Sequence, residues 1–252
     1  MQKLENKKRY YLIDSLRAIA LINMLFFHLL YDLYSLGVID WFYSVPMKIW
    51  QQAICISFIF ISGFSFQLGR KQWKRGLIVL GGASILFIAT LLIELLIAKG
   101  ILVSYGVLCF MGSAMLITVP LDMLFKRIKY VHWVGFFVSL ILFVLLKNIN
   151  YGTIVFGLFE VPEVLYQNYV TAYFGFPHNG FFSSDYFAIL PWIFLYLTGY
   201  FAFSIAKQLN LLRFLLKPRI KPLEFLGRHT LIIYILHQPM IFPIAFLISL
   251  IF

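Results

Sequence analysis

Asp14, Arg17, His28 and Asp32 stand between residues 13 and 36 in a stretch otherwise dominated by Leu, Ile, Phe and Ala. On a helix turning about 100° per residue, Asp14, Arg17, Met24, His28, Asp32 and Ser35 gather within roughly 80° of arc, and apolar side chains take most of the remainder. At a rise of about 1.5 Å per residue, Arg17 and His28 lie ~16 Å apart and the stripe runs ~30 Å from Asp14 to Ser35. Ionisable groups in an apolar helix cost several kcal/mol unless they face a bundle interior or a wet cavity, so the stripe reads as a pathway or a reaction site. A neutral imidazole can take a proton from a hydroxyl or amine, and Asp32, one turn beyond His28, is placed to orient the ring as a base. A guanidinium at Arg17 suits phosphate oxygens. The plainer alternatives are an anchoring Asp14–Arg17 salt bridge and a His28 that is only a structural donor.

A second polar face lies in the last apolar run. Thr230, Tyr234 and His237 follow at spacings of four and three, and Pro239 frees the carbonyl of Ile235. Leu226-Gly227-Arg228-His229 stands at the start of that run. There Arg228 could meet a phosphate, although snorkelling at an interface explains Arg228 and His229 equally well. Asp185, at the mouth of the sixth apolar run, shares a helical face with Tyr196 and Gly199 and is a candidate for holding an acceptor. Glu94 is a further candidate, divided between tunnel and interface. Asn23 points away from the stripe and is expected to bond a neighbouring helix. Gln51, Gln52, Ser57, Ser62 and Ser65 suit helix packing, and His178 reads as loop. Cys55 and Cys109 lack the spacing of a metal site or a disulfide framework.

The elements that must position these groups are membrane helices. With 62% hydrophobic and 12% charged residues among 252, the chain has too little polar surface to clothe a soluble globule. Apolar runs near 13–36, 45–68, 76–98, 101–125, 131–147, 185–206 and 229–251 predict an all-α, polytopic fold of about seven transmembrane helices in a single domain over 1–252. The first run is charged and too long for a signal peptide, so it is expected to stay in the mature chain. The formal charge of +11 does not point to nucleic acid, because its residues punctuate the runs. Seventeen of twenty-one Lys and Arg fall on one side: Lys3, Lys7, Lys8, Arg9; Arg70, Lys71, Lys74, Arg75; Lys126, Arg127, Lys129; and Lys207, Arg213, Lys217, Arg219, Lys221, Arg228. Lys48, Lys99 and Lys147 fall on the other, so the N-terminus is expected in the cytoplasm and the C-terminus outside. Ala98-Lys99-Gly100 reads as a tight hairpin. Residues 148–184, rich in Tyr, Phe, Gly and Asn, form one long outer connection, expected to lie as a lid on the membrane interface. No repeat of useful period is visible, which weakens an inverted-repeat transporter.

An arginine followed after ten residues by a histidine in a first span, with Leu226-Gly227-Arg228-His229 and Tyr234-Ile-Leu-His237-Gln238-Pro239 in a last span, resembles the transmembrane acyltransferase superfamily. Ile13-Asp14-Ser15-Leu16-Arg17, His28 with Asp32 and Leu33, Phe60-Ile61-Ser62-Gly63-Phe64-Ser65, and Asp185-Tyr186-Phe187 before Leu190-Pro191-Trp192 are most similar to bacterial proteins of the heparan-alpha-glucosaminide N-acetyltransferase catalytic-domain family. The resemblance implies a bacterial cytoplasmic-membrane enzyme with acetyl-CoA as cytoplasmic donor, an extracytoplasmic sugar or other envelope acceptor, and helices that form a tunnel between them. It implies Arg17 at the cofactor and His28 as base or transient acyl carrier; taken with the spacing, Asp14, Arg228, Tyr234 and His237 are expected at the cofactor, Asp32 beside His28, and Asp185, Tyr196 and Glu94 toward the acceptor. Expected partners are membrane lipids and the acceptor, with a homodimer left open and no nucleic acid. Two departures stand out: Ala18 follows the arginine where the family usually has glycine, and His28 stands where the heparan-modifying branch usually has asparagine. The second makes heparan a poor substrate guess and brings the chain closer to polysaccharide O-acyltransferases. A proton-coupled transporter or channel and a non-catalytic membrane sensor remain the rival classes.

The charge bias makes a direct prediction. With Cys55 and Cys109 replaced by serine, Asn168→Cys in intact cells should react with a membrane-impermeant maleimide added outside. Labelling only after the cytoplasmic face is exposed would reverse the orientation.

Overall fold

The computed structural model describes residues 10–96, 100–216 and 220–251. Expectations for Lys3, Lys7, Lys8, Arg9, Lys99, Lys217, Arg219 and the Ala98-Lys99 part of the hairpin lie outside them. The chain is helical, with α1 (Tyr11–Ser35), α2 (Val45–Ser65), α3 (Gln72–Leu96), α4 (Val107–Phe125), α5 (Val131–Leu145), α6 (Tyr169–Phe174), α7 (Ile189–Gln208), α8 (Lys221–Arg228) and α9 (Thr230–Ser249). One small antiparallel pair, β1 (Thr153–Ile154) with β2 (Phe159–Glu160), lies between α5 and α6. Among the described residues seven helices are long and apolar enough to cross a membrane, and they coincide with the seven runs expected from hydropathy.

The boundaries moved where side chains captured the backbone. Helix α4 starts at Val107 rather than near 101, because residues 101–106 bond elsewhere: Leu102 O accepts from Ser184 N at 2.9 Å, and Val103 N donates to Thr90 Oγ1 at 3.1 Å. Helix α7 starts at Ile189 rather than 185, with Leu190 still in an extended conformation (ψ 136°), as the ring of a following proline requires. The last span is preceded by a separate amphipathic helix, α8, opened by Pro222 in its first turn.

The described residues form two compact units, one built from the chain up to Ile61 and from Ala206 onward, the other from Ser62–Ile205. In the first, α8 and α9 pack on α1. Leu21, Met24 and Ile54 form its buried cluster, flanked by Trp50, Phe58, Ile233 and Tyr234. Asn23, turned away from the polar stripe, accepts a hydrogen bond from Trp50 Nε1 at 3.0 Å, the neighbour-helix contact expected of it.

In the second unit α7 is the most buried span, with Tyr196 and Tyr200 almost wholly enclosed. Tyr200 donates to Asp122 Oδ1 at 2.7 Å, Gln67 donates to Ser204 Oγ at 2.6 Å, and the hydroxyls of Ser139 and Thr198 meet at 2.9 Å. Each bond ties a helix to α7 where hydrocarbon offers no competing water. Glycines permit the closest approaches: Gly76 and Gly112 face each other's carbonyls at the α3–α4 crossing, and a side chain on Gly63 would collide with the Tyr196 carbonyl.

The connection after α5 is folded. Asn168 caps α6 by accepting from Val170 N at 2.9 Å and Thr171 N at 3.0 Å, and Gly175 (φ +124°) ends it in a conformation few other residues adopt. Asn150 donates to Gly175 O at 2.9 Å, and Tyr186 donates to Ala172 O. Burial pushes the phenols of Tyr166, Tyr173 and Tyr186 above the usual tyrosine range, so they act as neutral hydrogen-bonding groups here.

Because the obstacle at Gly63 is backbone rather than a movable side chain, Gly63→Ala should destabilise the protein by about 1–3 kcal/mol. A clear fall in melting temperature in detergent is expected, and an unchanged melt would mean that the helices separate freely at that point.

Candidate functional site

The polar stripe of α1 survives folding, but its members find different partners from those the spacing suggested. At one end Arg17 Nη1 donates to Asp14 Oδ1 at 3.0 Å, one helical turn back, and the Asp14 backbone lies against α8. Gly227 makes that approach available, since a side chain there would run into the Asp14 carbonyl. On α8, Arg228 Nη2 stands 3.7 Å from Glu224 Oε2, while the buried Glu224 Oε1 has no hydrogen-bond partner among the described residues. His229 is engaged locally, its Nδ1 2.9 Å from Phe225 O. Asp14, Arg17, Glu224 and Arg228 thus stand along the packed α1–α8 pair, with Arg17 partly accessible and Arg228 more so.

Further along α1 the structure corrects the expected pairing of His28 with Asp32. Asp32 is 2% exposed, and its carboxylate is held by Gln238 of α9, whose Nε2 lies 2.8 Å from Oδ1 and 3.0 Å from Oδ2. No Asp32–His28 hydrogen bond forms among the described residues, and the donor that Asp32 uses comes from another helix. The partner of His28 is instead the ring of His237, at a centroid distance of 4.6 Å and an interplanar angle of 61°, with Phe27 edge-on at 6.2 Å. His28 makes no hydrogen bond among the described residues. His237 contacts the Tyr234 carbonyl through Nδ1, a carbonyl one turn back, and its buried Nε2 has no partner. The Tyr234 ring lies 5.2 Å from that of His237.

The expected shared face of Tyr234 and His237 is therefore real, and it meets α1 at His28. The arrangement places two imidazoles beside each other, His237 with its Nε2 unpartnered among the described residues, one turn from a carboxylate held by the Gln238 amide. Such a pair can take, hold and pass a proton, or present a nitrogen nucleophile.

Three residues expected to face an acceptor lie in the other compact unit, with structural roles there. Glu94 closes the turn after α3 by accepting from the backbone N–H of Gly100 at 3.0 Å, Ile101 at 2.8 Å and Leu102 at 3.1 Å. Asp185 precedes α7 instead of sharing its face, and its Oδ2 accepts from Val107 N at 3.0 Å, where a carboxylate satisfies an otherwise unpaired donor of α4. Tyr196 is fully buried, with its ring 6.5 Å from that of Phe66. Local spacing could not foresee these partners, which come from loops and helices distant in sequence.

Two contributors were missed. Gln238 appeared only as a letter in a motif, although a primary amide in an apolar span needs a partner and so marks a helix contact. Glu224 went unnoticed, and the amphipathic pattern of Lys221–Arg228 was the available signal. Among the described residues no group of three His, Cys, Asp or Glu is placed to hold a metal, and Cys55 and Cys109 are both unbridged.

A family model described as "Heparan-alpha-glucosaminide N-acetyltransferase, catalytic" matches residues 9–239, from the start of α1 to the residue after Gln238. Searches of curated proteins and of solved structures each gave no match.

The Asp32–Gln238 bond predicts a specific non-additivity. Gln238→Leu strands a buried carboxylate and should cost about 1–3 kcal/mol, whereas adding Asp32→Leu should recover most of that loss, since replacing both partners removes the unsatisfied group. Thermal unfolding of the two single variants and the double variant in one detergent measures this. Equal losses that simply add would show that the two residues do not share a bond.

Proposed function

The chain belongs to the heparan-alpha-glucosaminide N-acetyltransferase catalytic family, and from that membership we propose a transmembrane acetyltransferase that moves an acetyl group from cytoplasmic acetyl-CoA to a hydroxyl or amine of an extracytoplasmic envelope acceptor. The observation that carries the reading is the His28–His237 pair, two imidazole rings 4.6 Å apart with the buried Nε2 of His237 lacking a hydrogen-bond partner among the described residues. A bacterial cytoplasmic membrane with the N-terminus inside agrees with the placement of Lys and Arg.

Acetyl-CoA, when bound, supplies an activated acetyl thioester. The residues fit such a donor. Arg17 and Arg228 carry guanidinium groups suited to phosphate, and both side chains are partly accessible, Arg17 beside Asp14 and Arg228 beside Glu224. Asp14 holds Arg17 in orientation. In this reading His28 accepts the proton of the acceptor as its oxygen or nitrogen attacks the acetyl carbonyl, and that proton then goes to the departing sulfur. His237, ring to ring with His28, can exchange protons with it or steady its orientation. Asp32 acts through position: clamped by Gln238, it ties α1 to α9 and keeps the two histidines together. Direct transfer and a transient acyl-histidine both use this geometry.

His28→Ala should leave the melting temperature and acetyl-CoA affinity near those of the parent protein while lowering acceptor acetylation by about 100-fold or more. His28→Gln should fail equally, because an amide neither accepts the proton nor carries the acyl group. Envelope-glycan acetylation in cells, normalised to membrane protein, provides the readout. Full acetylation with His28→Ala would remove the catalytic assignment, and a parent protein that acetyl-CoA does not stabilise at all would favour a transporter.

A further inference from the structure

The second compact unit holds a cavity that the transferase reading does not use. It is a partly open cleft of about 550 Å³, the size of a small-molecule pocket, lined by α3, the start of α4, the segment before it and Tyr169. Leu80, Ala83, Phe87 and Leu91 of α3 face Val103 and Cys109 across it. The described residues that line it include no Lys, Arg, His, Asp or Glu.

What fills such a space depends on what lies outside it. Helix α3 is the least buried of the seven spans, and Ile85, Ile88 and Leu92 stand exposed beside the cavity. Ser84 and Phe87, which line it, are exposed as well. The medium in reach of that opening is therefore hydrocarbon. Water would find partners chiefly at the end of the cavity that Ser104, Tyr105 and Tyr169 line, and leaving the apolar length empty forfeits dispersion contacts along Leu80, Phe87 and Leu91.

The roof is polar. Ser104, Tyr105 and Tyr169, each with a hydroxyl to offer, are among the residues that line the cavity. Tyr105 is held there against its backbone preference. At φ +56° it sits in the left-handed region, a genuine outlier for a bulky residue, kept by Phe187 N donating to its carbonyl at 2.9 Å and by the rings of Tyr173 at 5.4 Å and Phe181 at 6.2 Å. Burial raises its phenol above the usual range, so it stays a neutral donor.

We propose that this cavity binds one hydrocarbon chain of a membrane lipid, with an uncharged oxygen at the head of the chain, an ester carbonyl or a hydroxyl, hydrogen-bonded by Tyr105, Tyr169 and Ser104. The lining has no cation to grip a phosphate, so selectivity comes from chain shape and the uncharged head. The site stands independently of the transferase chemistry.

The test is photo-crosslinking of the full-length protein in nanodiscs, with peptide mapping. One arm uses a phosphatidylcholine whose fatty-acyl chain carries a diazirine, and the other uses a diazirine-bearing polyprenol, so that acylglycerol and isoprenoid sources are told apart. Labelling at Ala83, Phe87 and Cys109 should exceed that at Val134 and Phe137, exposed positions on α5 that sample bulk lipid. Ala83→Trp fills the space and should lower labelling of Cys109 by about tenfold, the loss of a site's preference over bulk lipid, without changing labelling of α5. Ser84→Phe narrows the rim from its exposed side and should act likewise, which keeps the test decisive if Ala83→Trp does not fold. Tyr105→Phe should weaken labelling at Cys109 while preserving the melting temperature. Cys109 labelling no greater than that of α5 in both arms, or unmoved by the filling variants, would overturn the site. Labelling unmoved by Tyr105→Phe would overturn the assignment of the head.

Discussion

The bond on which the candidate site depends is the one between Asp32 and Gln238. A carboxylate at 2% exposure in an apolar helix is tolerable only if something donates to it, and the donor here comes from a helix about 200 residues further along the chain. That one requirement brings α9 against α1 in a register that sets His237 beside His28. At the other end of α1, Gly227 gives the backbone of α8 room to lie on the Asp14 carbonyl. A polar clamp at one end and a missing side chain at the other align the faces that carry Arg17, His28 and His237, and the apolar cluster of Leu21, Met24 and Ile54 fills the span between them.

The same economy explains why the expected acceptor residues became structural. Glu94 and Asp185 stand beside helix ends that meet loops, and helix ends leave backbone donors without intrahelical partners. In water those donors would be hydrated, whereas near hydrocarbon a carboxylate that can accept two or three of them is used for that purpose. Ionisable residues here thus divide by neighbourhood: Glu94 and Asp185, near helix termini, satisfy the backbone, and Asp32 and Asp122 accept from side chains of other helices. His28 and His237 belong to neither kind, because neither ring has been drawn wholly into a backbone or carboxylate bond.

Glycine and polar side chains also tie the second unit together. There Gly63, Gly76 and Gly112 bring backbones together while Ser139, Thr198, Gln67 and Tyr200 supply short interhelical bonds, so α7 is enclosed and rigidly tied. Both units keep buried polar atoms without a hydrogen-bond partner among the described residues, such as Ser15 Oγ, Glu224 Oε1 and His237 Nε2 in the first and Thr118 Oγ1 and His132 Nδ1 in the second. Such atoms are costly in a low dielectric, and in the first unit His237 Nε2 stands beside the ring of His28.

Much of this was legible in the residues alone. Seven apolar runs of membrane length, punctuated by Lys and Arg, determine an all-α polytopic fold, because a bilayer allows a single chain few other ways to satisfy its backbone. The helical period places Asp14, Arg17, His28 and Asp32 on one face, and the motifs of the first and last spans identify the family. The partners were decided by tertiary structure. Periodicity says which side of a helix a residue occupies, but it cannot say which other helix will face it or at what height. That is why Asp32 was paired with the nearby His28 when its donor was Gln238, and why Asp185 and Glu94 were read as tunnel walls when unpaired backbone groups had already claimed them. Spacing within a helix is local geometry, whereas satisfaction of buried polar groups is settled between segments brought together only by folding.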